Sequence, residues 1–471
     1  MTRVVAGMTR VVAGVAASTP PGRDRVIDAV RSLSLVVVVA GHWLMAGLAV
    51  TADGQVQVVN TLTVVPELRP LTWVLQVMPL FFVAGGLANM RVWVRLRASG
   101  GGYVEYLRGR LVRLLAPVVV FVVTTQAILV AAWAAGTPAE DLAYVARLLG
   151  RPLWFLVVYV VVTAVAPVMI AGHRRRPWTT LLVPVGLAAT IDVARVATGS
   201  DLLSELAVVN FVLVWLVAQQ VGFWYADGRW PARRTGAAWV VAGAALVALV
   251  GLTVAGPYSV SMIGLPGEMS NMNPPSVCLL VLTAGQAALI MALRPRLNRW
   301  LARPWAWAVV VAVGVRAIHL YLWHLPALVV LVVVMVVGGG TLPEVGGALW
   351  WATRPVWLVV LAAMLAGLVV AAVRVQRWWP GRFSQGGAGR ASTVRVAAGA
   401  VLLVGALVGF ATGGLEPFGP AGEWLFGVPA WLIPSTGCLV AGWVMATAGL
   451  GQRYQSPSMY QSPSTLRRSK E

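Results

Sequence analysis

Uninterrupted apolar runs alternate with short charged segments along almost the whole chain. A helix needs about 20 apolar residues to cross a bilayer, and runs of that kind fall near 27–50, 71–90, 114–135, 152–171, 178–197, 206–225 and 236–256. Five more lie near 274–293, 312–338, 355–373, 397–414 and 431–450, the last two rich in glycine. The runs lack the period-two alternation of a barrel strand, and lipid admits only helices or closed barrels because every backbone polar group must find a partner within the protein. The pattern predicts an all-α, polytopic membrane bundle of about 12 transmembrane helices. Its two ends read differently. Residues 1–22 open with MTRVVAG written twice, and residues 451–471 carry QSPS twice among basic residues; both are expected to be disordered tails.

Composition supports this reading: of 471 residues, 59% are hydrophobic and 11% charged, against roughly 25% charged in a soluble domain. The formal net charge of +20 would suggest nucleic acid in a soluble protein. Sorting the charges by segment removes that suggestion. With the N-terminus inside, 29 of the 36 basic residues fall in cytoplasmic segments and four in external ones, whereas ten of the sixteen acids are external, among them Asp53, Asp201, Glu205, Glu268, Glu416 and Glu423. This is the positive-inside asymmetry of a multi-pass cell-membrane protein with both termini cytoplasmic. The bilayer is the expected partner, and nucleic acid is not.

Ionisable residues within the spans are costly in lipid and therefore candidates for function. They are Asp28, Arg31, His42, Asp192, Arg195, Arg316, His319 and His324. At about 100° per residue, Asp28, Arg31 and His42 share one face of the first helix, with His42 roughly 16 Å deeper than Arg31. Of the three, only His42 exchanges a proton near neutral pH. Asp192 and Arg195 form an i,i+3 pair that suits a helix–helix clamp or a substrate contact. His319 and His324 stand five residues apart and cannot both face one site, and His173, beside Arg174–Arg176, is expected on the surface of a basic loop. Cys278 and Cys438 sit in apolar runs as buried small hydrophobes, and no metal-ligand spacing, phosphate loop or G-x-S-x-G elbow is present.

The stretch R-D-R-V-I-D-A-V-R-S-L-S-L-V-V-V-V-A-G-H-W (Arg23–Trp43) resembles the opening of the acyltransferase-3 family of integral membrane acyltransferases. Further elements follow in family order: M-P-L-F-F-V-A-G-G (Met78–Gly86), Y-L-R-G-R-L-V-R-L-L-A-P (Tyr106–Pro117), P-L-W-F-L (Pro152–Leu156), N-M-N-P-P (Asn271–Pro275) and Y-L-W-H-L-P (Tyr321–Pro326). The second element departs from the family pattern, with Pro79 and Gly85-Gly86 in place of an acidic residue and a Ser-Gly pair. The resemblance covers about 23–373, a ten-helix membrane domain, and leaves 374–450 as a loop and two added spans with no appended esterase-like domain.

The resemblance implies an O-acyltransferase that moves an acyl group, an acetyl group in the first instance, from cytoplasmic acyl-CoA to a hydroxyl of an extracytoplasmic glycan, lipid-linked sugar or secondary metabolite. Acyl-CoA is then a co-substrate rather than a resident cofactor. His42 is the candidate general base with Asp28 as a second catalytic group; Arg31, Arg110 and Arg113 are candidates for the donor's phosphates; Arg316, His319 and His324 are weaker substrate candidates. No metal is implied. A secondary transporter is the rival reading, since intramembrane Asp, Arg and His are usual there too.

Overall fold

The computed structural model describes residues 22–50, 56–229, 235–339, 343–378, 393–415 and 435–447, with positions 14, 19, 20, 424, 425, 428 and 429. Most of the N-terminal tail, all of 451–471, and the acids Asp53, Glu416 and Glu423 lie outside the described residues. Eleven helices among the described residues are long and apolar enough to cross a membrane. The expected twelfth is a 13-residue helix, Ser435–Thr447, which is too short to span by itself within the described range.

The helices that matter to the site are α1 (Arg25–Met45), α2 (Met78–Ala98), α3 (Tyr103–Ala134), α4 (Ala139–Gly150), α5 (Leu153–Arg175), α6 (Pro177–Thr198), α7 (Asn210–Ala226), α8 (Thr235–Val250), α9 (Val277–Leu301), α10 (Pro304–Val315), α11 (Ala317–Val337), α12 (Ala348–Trp378), α13 (Thr393–Gly413) and α14 (Ser435–Thr447). Asp24 caps α1 by accepting from the Ile27 amide, 3.2 Å, as a short carboxylate does at a helix N-terminus. α1 is central, packed by α2, α9, α10, α11 and α12.

The first apolar run is not one helix. α1 stops at Met45, and Ala46–Val50 pairs antiparallel with Val56–Asn60 as a hairpin, so the last five residues of the run leave the helix instead of continuing it. The ninth run is also broken. α10 ends at Val315, Arg316 adopts φ −106° and ψ 9°, and α11 begins at Ala317. Both pieces lie along α1: the Ser32 hydroxyl donates to the Val310 carbonyl, 2.9 Å, and the Trp43 indole to the His324 carbonyl, 2.9 Å.

Close helix approach is set by glycine. A Cβ on Gly86 of α2 would stand 2.2 Å from the Gln219 carbonyl oxygen, and one on Gly222 of α7 2.1 Å from that of Val83. Backbones this close are the packing that small residues permit in membranes. The crossing is fixed by Asn89 Nδ2 donating to Gln219 Oε1, 2.8 Å, and by Gln219 Nε2 donating to the Val162 carbonyl of α5, 3.2 Å. The added C-terminal pair α13 and α14 docks against α3, α4 and α5. There Arg108 donates to the Ala446 carbonyl, 3.0 Å, and Leu415 N–H to that of Ala146, 3.0 Å.

The Asp192–Arg195 pair is a clamp. Asp192 is fully buried; one of its oxygens accepts from Arg195, 2.6 Å, and the other from the Tyr258 hydroxyl, 3.0 Å, and the Val277 amide, 2.8 Å. Burial and the adjoining carboxylate push the Tyr258 phenol above its ordinary value, so it stays a donor. The loop before α9 is thereby tied to α6. His173 corrects the expectation of a surface residue: it is fully buried. Its Nε2–H donates to Asp227, 2.8 Å, and its Nδ1 accepts from Gln220, 2.8 Å, because it sits in the last turn of α5, a helix that packs against α7. Cys278 is buried as expected, whereas Cys438 is half-buried.

Candidate active site

His42 lies in the last turn of α1, and the nearest catalytic-type side chain bonded to it comes from α11. His324 is completely buried; its Nε2 stands 2.9 Å from His42 Nδ1, and the two rings stack with centroids 5.0 Å apart and planes 22° apart. The other nitrogen of His324, Nδ1, is 2.5 Å from the Tyr321 carbonyl oxygen. That oxygen only accepts, so Nδ1 of His324 carries the proton. With both rings neutral, Nε2 of His324 is then the acceptor and His42 donates its Nδ1–H. The lone pair of the pair is left on His42 Nε2. A backbone carbonyl thus sets the tautomer of two imidazoles in series, which is how a hydrogen bond at one ring nitrogen fixes the chemistry of the other.

The surroundings hold this arrangement in register. Trp43, the residue after His42, donates to the carbonyl of His324, and the Trp357 indole of α12 donates to the Trp43 carbonyl, 3.1 Å. That carbonyl belongs to the last turn of α1, where helical N–H donors run short. The Tyr321 hydroxyl donates to the Pro152 carbonyl, 2.6 Å, and its ring meets Phe155 edge-on at 5.4 Å. The segments Pro152–Leu156 and Tyr321–Pro326, far apart in sequence, therefore form one wall.

The other expected residues are placed as follows. Asp28 bridges Arg23, 2.6 Å, and Arg31, 3.6 Å. It precedes His42 by fourteen residues on one straight helix, roughly 21 Å along the axis. It therefore does not touch His42, whose side-chain hydrogen-bond partner is His324. Arg31 lies against Gly314 near the end of α10, and its Nε is buried without a hydrogen bond. On α3, Tyr106, Arg110 and Arg113 share a face. Arg110 lies over the Tyr106 ring at 5.9 Å with Nε and one terminal nitrogen buried and unbonded, and Arg113 is exposed. Arg316 is exposed at the α10–α11 break. His319 turns away from the pair, its Nε2 2.6 Å from Gln376 Oε1 on α12. His324, expected as a weak substrate contact, is hydrogen-bonded to His42.

The family model described as an acyltransferase domain matches residues 24–373. The chain belongs to the acyltransferase-3 family. It matches no curated protein and no solved structure. The matched range of this acyltransferase holds α1 to α11 and nearly all of α12, hence both histidines, their tryptophan ties and the arginines of α1 and α3, and it stops before α13 and α14. As a member of the family the protein is a membrane acyltransferase, and the His42–His324 pair lies within the matched domain.

Proposed function

We propose that the protein transfers an acyl group, acetyl in the first instance, from cytoplasmic acyl-CoA to a hydroxyl on an extracytoplasmic glycan, lipid-linked sugar or secondary metabolite. The observation that carries this reading is the Tyr321 carbonyl–His324–His42 chain, which leaves a bare nitrogen on His42. As the acceptor hydroxyl attacks the thioester carbonyl, its proton passes to His42 Nε2. Positive charge on His42 is shared through its Nδ1–H with His324. When the C–S bond breaks, the proton moves from His42 to the departing thiolate, giving free CoA thiol and the acyl ester. No other reactant is consumed.

Arg31 and Arg110 suit the donor's phosphates. Nε of Arg31 and two nitrogens of Arg110 are buried with no hydrogen-bond partner among the described residues, a costly state that an anion would relieve, and Arg binds phosphate in bidentate fashion. The positive-inside distribution supports their placement on the cytoplasmic side, and both termini with them. Arg31 and His42 stand roughly 16 Å apart along α1, a span that a long, flexible thioester arm can bridge.

The test is acetyl-CoA consumption by the full-length protein in lipid nanodiscs, with mass spectrometry of cell-envelope glycans from cells with and without it. Turnover that is lost in His42→Ala while acetyl-CoA still binds supports the reading. Turnover retained in His42→Ala removes His42 as the base, and solute flux in proteoliposomes without acetyl-CoA consumption overturns the transferase reading in favour of a transporter.

A further inference from the structure

A second cationic site lies at the far end of α1 from Arg31. Arg354, in the second turn of α12, is 8% exposed. Its guanidinium is held between two indoles, 4.4 Å from the Trp350 ring centre and 4.7 Å from that of Trp357. Nε donates to the Trp350 carbonyl, 3.1 Å, and one terminal nitrogen to Thr353 Oγ1, 3.5 Å. No carboxylate among the described residues pairs with it. A guanidinium offers five N–H donors, so most remain unused. Arg354 lines a partly open cleft together with both indoles, Leu48 of the hairpin, Met335 of α11 and Pro343.

The cleft adjoins the histidine pair. Trp357, one of its walls, donates to the carbonyl of Trp43, the residue next to His42, and Leu48 follows His42 by six residues. Donor phosphates, on the reading above, engage Arg31 roughly 21 Å back along α1 from its end at Met45. Two cationic sites thus flank one base from opposite ends, and the second is walled by aromatic and aliphatic side chains, which suit the C–H face of a ring.

We propose that the Arg354 cleft binds the acceptor, and that the acceptor is an anionic sugar whose phosphate or carboxylate pairs with Arg354 while its ring packs on the apolar wall. This inference rests on the acyl-transfer reading for its word acceptor, but not for the anion site itself. No carboxylate among the described residues neutralises Arg354, and the cleft lies at the His42 end of α1 rather than at the Arg31 end.

The experiment is equilibrium binding of radiolabelled glucose 1-phosphate, glucuronate and glucose to the full-length protein in phosphatidylcholine nanodiscs. The expected result is that at least one anionic sugar binds at least tenfold more tightly than glucose; the stronger of the two identifies phosphate or carboxylate as the group read. Arg354→Gln should bring the anions to the level of glucose, and Arg354→Lys should recover part of the preference. Equal binding of all three sugars by the unmodified protein overturns the proposal, and so does an unchanged preference in Arg354→Gln. Replacing phosphatidylcholine with phosphatidylglycerol separates the sugar from a lipid headgroup. Loss of the anion preference there makes the headgroup the occupant and ends the acceptor assignment. An anion preference in a protein that consumes no acetyl-CoA would leave the site standing and overturn the transferase reading instead.

Discussion

Trp43 donates its indole N–H to the backbone carbonyl of His324 at 2.9 Å, so the residue after one histidine of the pair fixes the backbone of the other. The contact locks α1 and α11 in register at the position where their imidazoles meet. Trp43→Phe keeps the ring and removes the donor that ties the two helices. Acetyl-CoA turnover should fall about tenfold or more, since small misplacements of a catalytic group cost up to about 10²-fold, while the dissociation constant for acetyl-CoA stays within about twofold. Steady-state kinetics beside equilibrium binding would show it; equal losses in both would assign Trp43 to the donor site instead.

In the proposed mechanism His324 acts through His42, and the side chain that replaces it should matter. His324→Ala leaves His42 Nδ1–H without an acceptor and releases the ring, so kcat should fall by about 10² to 10⁴, the usual worth of a positioned general base. His324→Gln offers a carbonyl oxygen to the same N–H and should restore part of the rate. A merely structural role for His324 predicts loss of thermal stability in step with loss of rate, and no advantage of Gln over Ala.

The arginines of α3 differ in setting. Arg110 has buried, unbonded nitrogens and Arg113 is exposed. Arg110→Gln should raise the KM for acetyl-CoA by about tenfold or more, a charge-assisted hydrogen bond being worth about 1.5–3 kcal/mol. Arg113→Gln should raise it by less, because solvent screens an exposed charge. Kinetics at two salt concentrations would separate them, and equal effects would point to orientation by loop charge alone.

Asp192 binds Arg195, Tyr258 and the Val277 amide from a fully buried position. Asp192→Ala strands Arg195 and two donors, at a cost of about 3–5 kcal/mol for breaking a buried pair. Thermal unfolding in nanodiscs should show a lowered midpoint. Tyr258→Phe removes one hydrogen bond only and should cost about 1 kcal/mol.

Gly222→Ala places a Cβ where the Val83 carbonyl oxygen stands 2.1 Å away. Backbone cannot yield as a side chain can, so α2 and α7 must separate. Reduced yield of folded protein in detergent is expected, with Gly243→Ala of α8 as the control, since nothing lies within 4 Å of a Cβ there.

Much of this protein could be read along the chain. Apolar runs gave the membrane helices, because lipid leaves backbone polar groups no partner outside the helix, and the α1 face bearing Arg31 and His42 followed from helical period alone. The motif order gave the family. Other features depended on contacts between distant residues. The strand at Ala46–Val50 reads as apolar as the helix before it, and only its pairing with Val56–Asn60 ends the span. His173 follows its charged neighbours into a surface reading until Asp227 and Gln220 are seen to enclose it.

His324 was visible as an intramembrane histidine but not as the partner of His42, 282 residues away. Arg354 read only as one of the four basic residues of the external segments; Trp350 and Trp357, at i−4 and i+3, share its helix face, but the cleft also needs Leu48 and Met335 from distant elements. Period and hydropathy are properties of neighbours in sequence, and they determined where the helices lie and which face carries charge. Tautomer, register and the pairing of two histidines depend on which helices meet and at what height, and only the packed bundle decided them.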